Sequence, residues 1–387
     1  MRNGILAATV MCSLAGLPAG VAAQTQPGNL GVSVEVREEV RNSFIFVLRD
    51  DVPANEVARH ANALAVGAGG RVTHTYTASI KGFAAKMPDE AAARMLAANP
   101  LIASYEPDAI AYAFAKPGTA AAYPCTAPQT PWGVTRVGGA GDGTGRTAWV
   151  IDTGIDFEHP DLIVDRGRSA SFLLRGKTSA DDGNGHGTHV AGTIGALNNG
   201  CDVVGVAAGA TLVAVRVLDN SGSGSYSGVI KGIDYVAANA ANGDVANMSL
   251  GGPYSALLND AVTKASYTKD NNGNEKNVYF ALAAGNESAD AANYSPASAN
   301  GPNIYTVSAI DGSDTLAWFS NYGNPPVDCA APGVSIVSTK NGGGVTAFSG
   351  TSMAAPHVAG ILLLGTPTSG GSIKGDRDSN PDPICHR

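Results

Sequence analysis

Thr147-Ala-Trp-Val-Ile-Asp152 is a short apolar run that ends on a carboxylate. Uninterrupted apolar runs of this length, closed by a polar residue, belong to strands buried on both faces. The pattern recurs at Thr211–Leu218, Val245–Leu250, Val278–Ala283, Ile304–Ile310 and Val334–Ser338. Helical patterns over His189–Leu197, Ser227–Ala240, Leu257–Ser266 and Met353–Leu364 alternate with these runs. Strand and helix in turn predict an α/β fold, a parallel β-sheet flanked by helices. Ligands on such sheets bind outside the carboxyl ends of the strands. Asp152 ends one of them, and a carboxylate there is expensive unless it has a partner.

Two further segments supply partners for chemistry. His186 lies in Asp182-Gly-Asn-Gly-His-Gly-Thr-His-Val-Ala-Gly-Thr, at the entrance of an apolar helix. Ser352 lies in Gly350-Thr-Ser-Met-Ala-Ala-Pro-His. Proline is tolerated in a helix's opening turn, so Pro356 puts the serine at a helix N-terminus, where free N–H groups favour negative charge. A serine hydroxyl becomes a nucleophile when a base takes its proton, and the base needs a third group to orient it. Asp152, His186 and Ser352 fill those roles. Asn286, closing the strand Ala283-Ala-Gly-Asn, can donate to the oxyanion beside the Ser352 N–H. A lone Asp after a strand or a lone His at a helix start is usually structural; three in register point to catalysis. His189 and His357 are expected to be packed helix residues, because zinc peptidases want His-Glu-x-x-His. The esterase elbow Gly-x-Ser-x-Gly is excluded by the order Asp, His, Ser.

Upstream, Phe44–Asp50, Pro53–Gly67, Arg71–Met87, Asp89–Asn99 and Ile102–Tyr112 follow a β-α-β-β-α-β order, with Asp89 placed to cap a helix. That order predicts a small ferredoxin-like α+β domain. Ala113–Pro131 then reads as an exposed, cuttable linker. At the start, Arg2, an apolar run from Gly4 to Pro18 and Val21-Ala-Ala23 compose a secretory signal over residues 1–23, so a soluble, extracellular product without a membrane span is expected. The chain of 387 residues is 44% hydrophobic and 15% charged, with 49 glycines, a globular and loop-rich profile. Its net charge of −8 argues against nucleic acid as a partner. Cys12 leaves with the signal, and Cys125, Cys201, Cys329 and Cys385 then permit three disulfide connectivities. The tail after the serine helix is short and rich in Gly, Pro and Asp, and Cys385 is expected to pin it.

Val150-Ile-Asp-Thr-Gly, His186-Gly-Thr-His-Val-Ala-Gly-Thr, Ala283-Ala-Gly-Asn and Gly350-Thr-Ser-Met-Ala-Ala-Pro-His together resemble the four signature blocks of subtilisin-like serine peptidases, in the proteinase K-like branch. The resemblance runs from about Trp132 to Leu364. It implies a serine endopeptidase in which Asp152 orients His186, His186 acts as base and then acid, Ser352 attacks and Asn286 holds the oxyanion. No cofactor is implied for the chemistry. It implies an inhibitor-type prodomain over 44–115, a catalytic domain over 116–387, and self-cleavage near Ala113–Lys116, so that the chain's partners are protein or peptide substrates and its own prodomain. A monomer is expected. The segments holding Gly222, Gly224, Ser249, Leu250 and Gly251 resemble the two strands that clasp an extended substrate. Gly251, Ala284 and Gly285 leave a roomy, uncharged pocket that suits apolar or aromatic residues before the cut. A structural calcium ion is implied on Asp311 with the carbonyls of Pro302 and Ile304.

Overall fold

A computed structural model describes residues 32–114, 116–117, 129–175, 178–269 and 273–387. The expected signal, Cys12 and Cys125 lie outside the described residues. Two lobes pack together within residues 32–387. The smaller has strands Ser43–Leu48, Arg71–Tyr76, Gly82–Lys86 and Ile102–Pro107 and helices Val57–Gly67 and Asp89–Ala98, in the expected β-α-β-β-α-β order. Its sheet is antiparallel, with Ser43–Leu48 between Gly82–Lys86 and Ile102–Pro107, and Arg71–Tyr76 at the edge. Asp89 is not the helix cap. Pro88 occupies that position, and Asp89 is the first helical residue, where its charge favours the helix N-terminus.

Every residue of Ser43–Leu48 is buried, which a one-sided sheet would not produce. The pleat explains it. Phe44, Phe46 and Leu48 face the lobe's own helices, whereas Ile45 and Val47 enter a cluster shared with Val229, Ile233 and Leu258 of the larger lobe. A short helix not expected from the sequence, Val34–Val40, precedes the sheet and is capped by Ser33 Oγ, which accepts from Val36 N–H at 3.1 Å.

The larger lobe is built on a ten-stranded sheet. Its central order is Thr211–Arg216, Thr147–Asp152, Val245–Met248, Tyr279–Ala283, Ile304–Ile310 and Val327–Pro332, all parallel. From Thr147–Asp152 the chain builds first to one side and then to the other, so this strand flanks the topological switch point where sites form. Along it Ala148 and Val150 pack towards the helices His186–Gly195 and Thr351–Leu364, and Trp149 and Ile151 towards Tyr226–Asn239 and Ala256–Ser266. The serine helix is apolar around its whole circumference because it is buried from Thr351 to Leu363.

One expected strand is displaced. Val334–Ser338 is not in the parallel sheet; Ile336–Thr339 pairs antiparallel with Val345–Ser349 instead. The parallel strand is Val327–Pro332, disguised in the sequence by Asp328 and by prolines at both ends. The tail also acquires structure. Pro383–His386 adds parallel to Val327–Pro332 and Thr368–Ser372 adds antiparallel beyond it, held by a Cys329–Cys385 disulfide. Cys385 therefore pins the tail as expected. Cys201 is also disulfide-bonded. Among the described residues no helix is long and apolar enough to cross a membrane.

Candidate active site

The parallel sheet delivers Asp152 at the carboxyl end of its strand, fully buried. His186 opens the adjacent helix, with its Nδ1 2.7 Å from Asp152 Oδ1. A carboxylate only accepts, so Nδ1 carries the proton of this contact. Nε2 is buried and has no hydrogen-bond partner among the described residues, and Asp152 Oδ1 also accepts the Thr153 N–H at 2.7 Å. Ser352, in the first turn of its helix, donates its hydroxyl to the Ser249 carbonyl at 2.9 Å. The Ser249 hydroxyl in turn donates to the Ser352 carbonyl at 2.8 Å.

Asn286 is oriented from behind. Its Oδ1 accepts from both the N–H and the hydroxyl of Thr351 at 3.0 Å, so its Nδ2 faces the cleft and donates to the Phe114 carbonyl at 2.8 Å. That carbonyl lies against Gly350, where a Cβ would approach it to 2.1 Å. The Phe114 ring rests on Gly251, and a Cβ there would meet ring carbons at 2.6 and 2.7 Å. Any larger residue at 251 would close this pocket.

The chain leading into Phe114 occupies the cleft as a strand. Ile110–Ala113 runs antiparallel between Ser223–Ser225 and Leu250–Pro253, with Gly224 opposite Ala111, Leu250 opposite Ala113 and Gly251 opposite Tyr112. Ala113 donates to the Gly222 carbonyl at 3.0 Å, and Phe114 to that of Ser249 at 3.5 Å. Beyond Phe114, the backbone of Lys116–Pro117 pairs with Phe348 and Ser349. The segment expected to be an exposed linker thus begins inside the cleft, because its first residues satisfy two open strand edges. Among the expected clasping residues, Gly222, Gly224, Ser249, Leu250 and Gly251 all border this strand. Gly285 donates to the Thr351 hydroxyl at 3.1 Å. Ala284 is set further back: its carbonyl accepts from Asn321 Nδ2 at 2.9 Å and its methyl joins Ala291 and Ala297.

The remaining expectations divide. His189 is buried, near the Ile336 carbonyl at 3.0 Å and stacked on Phe348, and burial pushes its pKa down to about 3. His357 is held near the Met353 carbonyl at 2.8 Å, and burial lowers it to about 4. Both are packed residues. The expected calcium ligands are not brought together. Ile304 begins a seven-residue strand and Asp311 follows its far end, a separation of roughly 20 Å. Asp311 instead caps a turn, accepting from the N–H groups of Ser313 and Thr315. The carboxylate beside the start of that strand is Asp328, which accepts the Thr306 N–H at 2.8 Å and is raised to about 6 by burial. Among the described residues no cluster of three or more His, Cys, Asp or Glu could hold a metal ion.

Phe114, Thr351 and Asp182 are site residues that sequence reasoning passed over. Phe114 was legible as the one large apolar side chain in an alanine-rich stretch.

A buried Asp–His pair, a serine at a helix N-terminus and an amide donor facing a peptide carbonyl define a serine hydrolase of the parallel-sheet type. Residues 143–366 match the Subtilase family, and the chain belongs to that family and is a subtilisin-like serine endopeptidase. It is 41% identical over 367 residues to "Subtilisin-like serine protease AsES" of Sarocladium strictum, covering 90% of this chain and 86% of that one. To "Proteinase R" of Parengyodontium album it is 40% identical, covering 79% and 76%. A solved cold-adapted subtilisin-like serine proteinase superposes with a TM-score of 0.51 at 44% identity, over 61% of this chain and 84% of that one.

Proposed function

We propose that Asp152, His186 and Ser352 are the catalytic triad, that Asn286 stabilises the oxyanion, and that the smaller lobe is a prodomain cut from the enzyme after Phe114. The observation that carries this reading is the Phe114 carbonyl, held by Asn286 at 2.8 Å while the chain before it lies strand-paired in the cleft. His186 takes the Ser352 proton as the hydroxyl attacks that carbonyl, and Asp152 steadies the imidazolium. The oxyanion develops where Asn286 already donates. His186 then protonates the leaving amine and activates a water to release the acyl group. The chemistry needs no cofactor.

After the cut, residues 110–114 remain as a product strand, so the prodomain inhibits by occupying the substrate edges. Carboxylates reinforce its docking. Glu106 and Asp108 accept from the N–H groups of Leu257 and Ser227 at two helix N-termini, and Asp234 Oδ1 accepts three N–H groups from Thr77–Ser79. The Gly251 pocket gives the mature enzyme a preference for aromatic and apolar residues before the cut. Residues 1–23 serve as the secretion signal, and the product acts outside the cell. A structural calcium ion would use Asp328, beside the start of the Ile304–Ile310 strand, with the Pro302 and Ile304 carbonyls in place of Asp311.

The test is a serine-directed fluorophosphonate on secreted protein, with a casein assay and N-terminal sequencing, beside Ser352→Ala. Labelling at Ser352, hydrolysed casein, a cut after Phe114 and an uncut Ser352→Ala precursor are expected. Unlabelled Ser352 with active protein would overturn the triad, and a strict Lys or Arg preference on peptide libraries would overturn the pocket assignment.

A further inference from the structure

Asp182 touches neither nucleophile nor substrate, yet its carboxylate connects the segments that carry Asp152 and His186. It is only 7% exposed. Oδ1 accepts from the Asn184 N–H at 2.9 Å, the Gly185 N–H at 3.0 Å and the Thr153 hydroxyl at 2.9 Å. Oδ2 accepts from the Thr188 N–H at 3.1 Å and the Thr188 hydroxyl at 2.6 Å. A carboxylate at a helix entrance ordinarily serves its own helix. This one also reaches across to the neighbouring strand.

Thr153 is the bridge. Its hydroxyl donates to Asp182 and accepts the Gly187 N–H at 2.9 Å. It therefore joins the residue after Asp152 to the residue after His186. Such an approach requires glycine at 187, where a Cβ would meet the Gly154 carbonyl at 2.1 Å. From the other side Arg216, almost fully buried, donates to the carbonyls of Asp181 and Ser179 at 2.6 and 3.2 Å and braces the same loop. The 2.7 Å contact between Asp152 and His186 thus spans two backbone units that one buried carboxylate holds in register.

We infer that Asp182 is a positioning residue of the hydrolytic reaction: acting through Thr153, it sets the separation and alignment of Asp152 and His186. The inference rests on the triad reading above. Misplacing a reacting group by about 1 Å costs about 100-fold in rate, so loosening this bridge falls on turnover and leaves the clasping strands, which set substrate affinity, untouched.

The experiment measures kcat, KM and the pH dependence of kcat/KM on secreted, matured protein, with each rate expressed per site titrated by a fluorophosphonate so that unfolded molecules drop out. Asp182→Asn and Thr153→Val are each expected to lower kcat about 10- to 100-fold with KM within about twofold. In both, the acidic limb moves to lower pH, because an imidazole no longer aligned with Asp152 holds its proton less tightly. Thr153→Ser retains the bridge and is expected within about threefold of wild type. The double variant should be no worse than Asp182→Asn alone, since both break one connection. Thr153→Val keeps the test decisive where Asp182→Asn yields no folded protein. Unchanged kcat per titrated site and an unmoved acidic limb would overturn the inference while leaving Ser352 labelling, and hence the triad, intact. Loss of the triad itself would show instead as wild-type protein unlabelled at Ser352.

Discussion

The two lobes are built by opposite economies. The larger lobe covers both faces of its sheet with its own helices and fastens its tail with a disulfide. The smaller lobe covers one face with its own helices and leaves the other, through Ile45, Val47, Tyr76 and Ala84, to be completed by its neighbour. Small domains with few buried residues are marginal alone. If the smaller lobe is the prodomain proposed above, the difference teaches how it would be both tight and temporary: what holds it in the cleft also completes its fold, so the proposed cut would also expose it to digestion.

The comparison breaks first at the point where the lobes are joined. Asn286→Ala is expected to slow both self-cleavage and casein hydrolysis about 100- to 1000-fold, the range known for removing such a donor from a subtilisin, read as accumulation of uncut precursor on gels. Phe114→Asp places a charge against Gly251 and should slow self-cleavage about 100-fold without altering the matured enzyme, whereas Phe114→Leu should mature within about threefold of wild type. Removing the Cys329–Cys385 bond by paired serines should cost the larger lobe about 4 kcal/mol on a chain-entropy estimate for a separation of 56 residues, measured by denaturant unfolding in a Ser352→Ala background.

The smallest effect concerns pH. Asp382 is fully buried and accepts the Ser308 hydroxyl at 2.7 Å, while its Oδ1 has no partner among the described residues; burial, with Asp376 and Asp378 nearby, raises it to about 7. A carboxyl raised in the folded state contributes stability below its unfolded pKa and loses it as pH rises towards the folded one. Asp382→Asn should therefore raise the melting temperature by a few degrees at pH 8 and leave it unchanged near pH 3, by calorimetry in the same background. The buried histidines act with the opposite sign. His74 of the smaller lobe and His357 of the larger are each lowered to about 4, so both lobes should lose stability as pH falls from 6.5 towards 4.

The parallel sheet was legible because its strands are continuous apolar runs, and the proposed triad was singled out because Asp152 closes one of those runs while His186 and Ser352 open helices beside the sheet. Val327–Pro332 was hidden since Asp328 interrupts its apolar run; that residue's N–H-accepting role appears only when Thr306 lies beside it. Asp311 and Ile304, expected to share an ion, were near in sequence, but a straight strand carries them apart. Asp182 was visible as a residue and invisible as a connection, because its partners Thr153 and Thr188 come from two elements that only the fold apposes. Phe114 stood out as a large apolar side chain, but its alanine-rich surroundings read as linker when the residues before it were a strand with two neighbours.

Those two neighbours have a further consequence. Ser223–Ser225 and Leu250–Pro253 face each other across the width of one strand, and the departure of that strand proposed above would leave both with unpaired N–H and carbonyl groups. Open edges of this kind invite other chains to pair and aggregate. Here they are three and four residues long, and Pro253 closes one of them. A groove with edges this short can pin a flexible peptide of a few residues and is too short to seed a growing sheet.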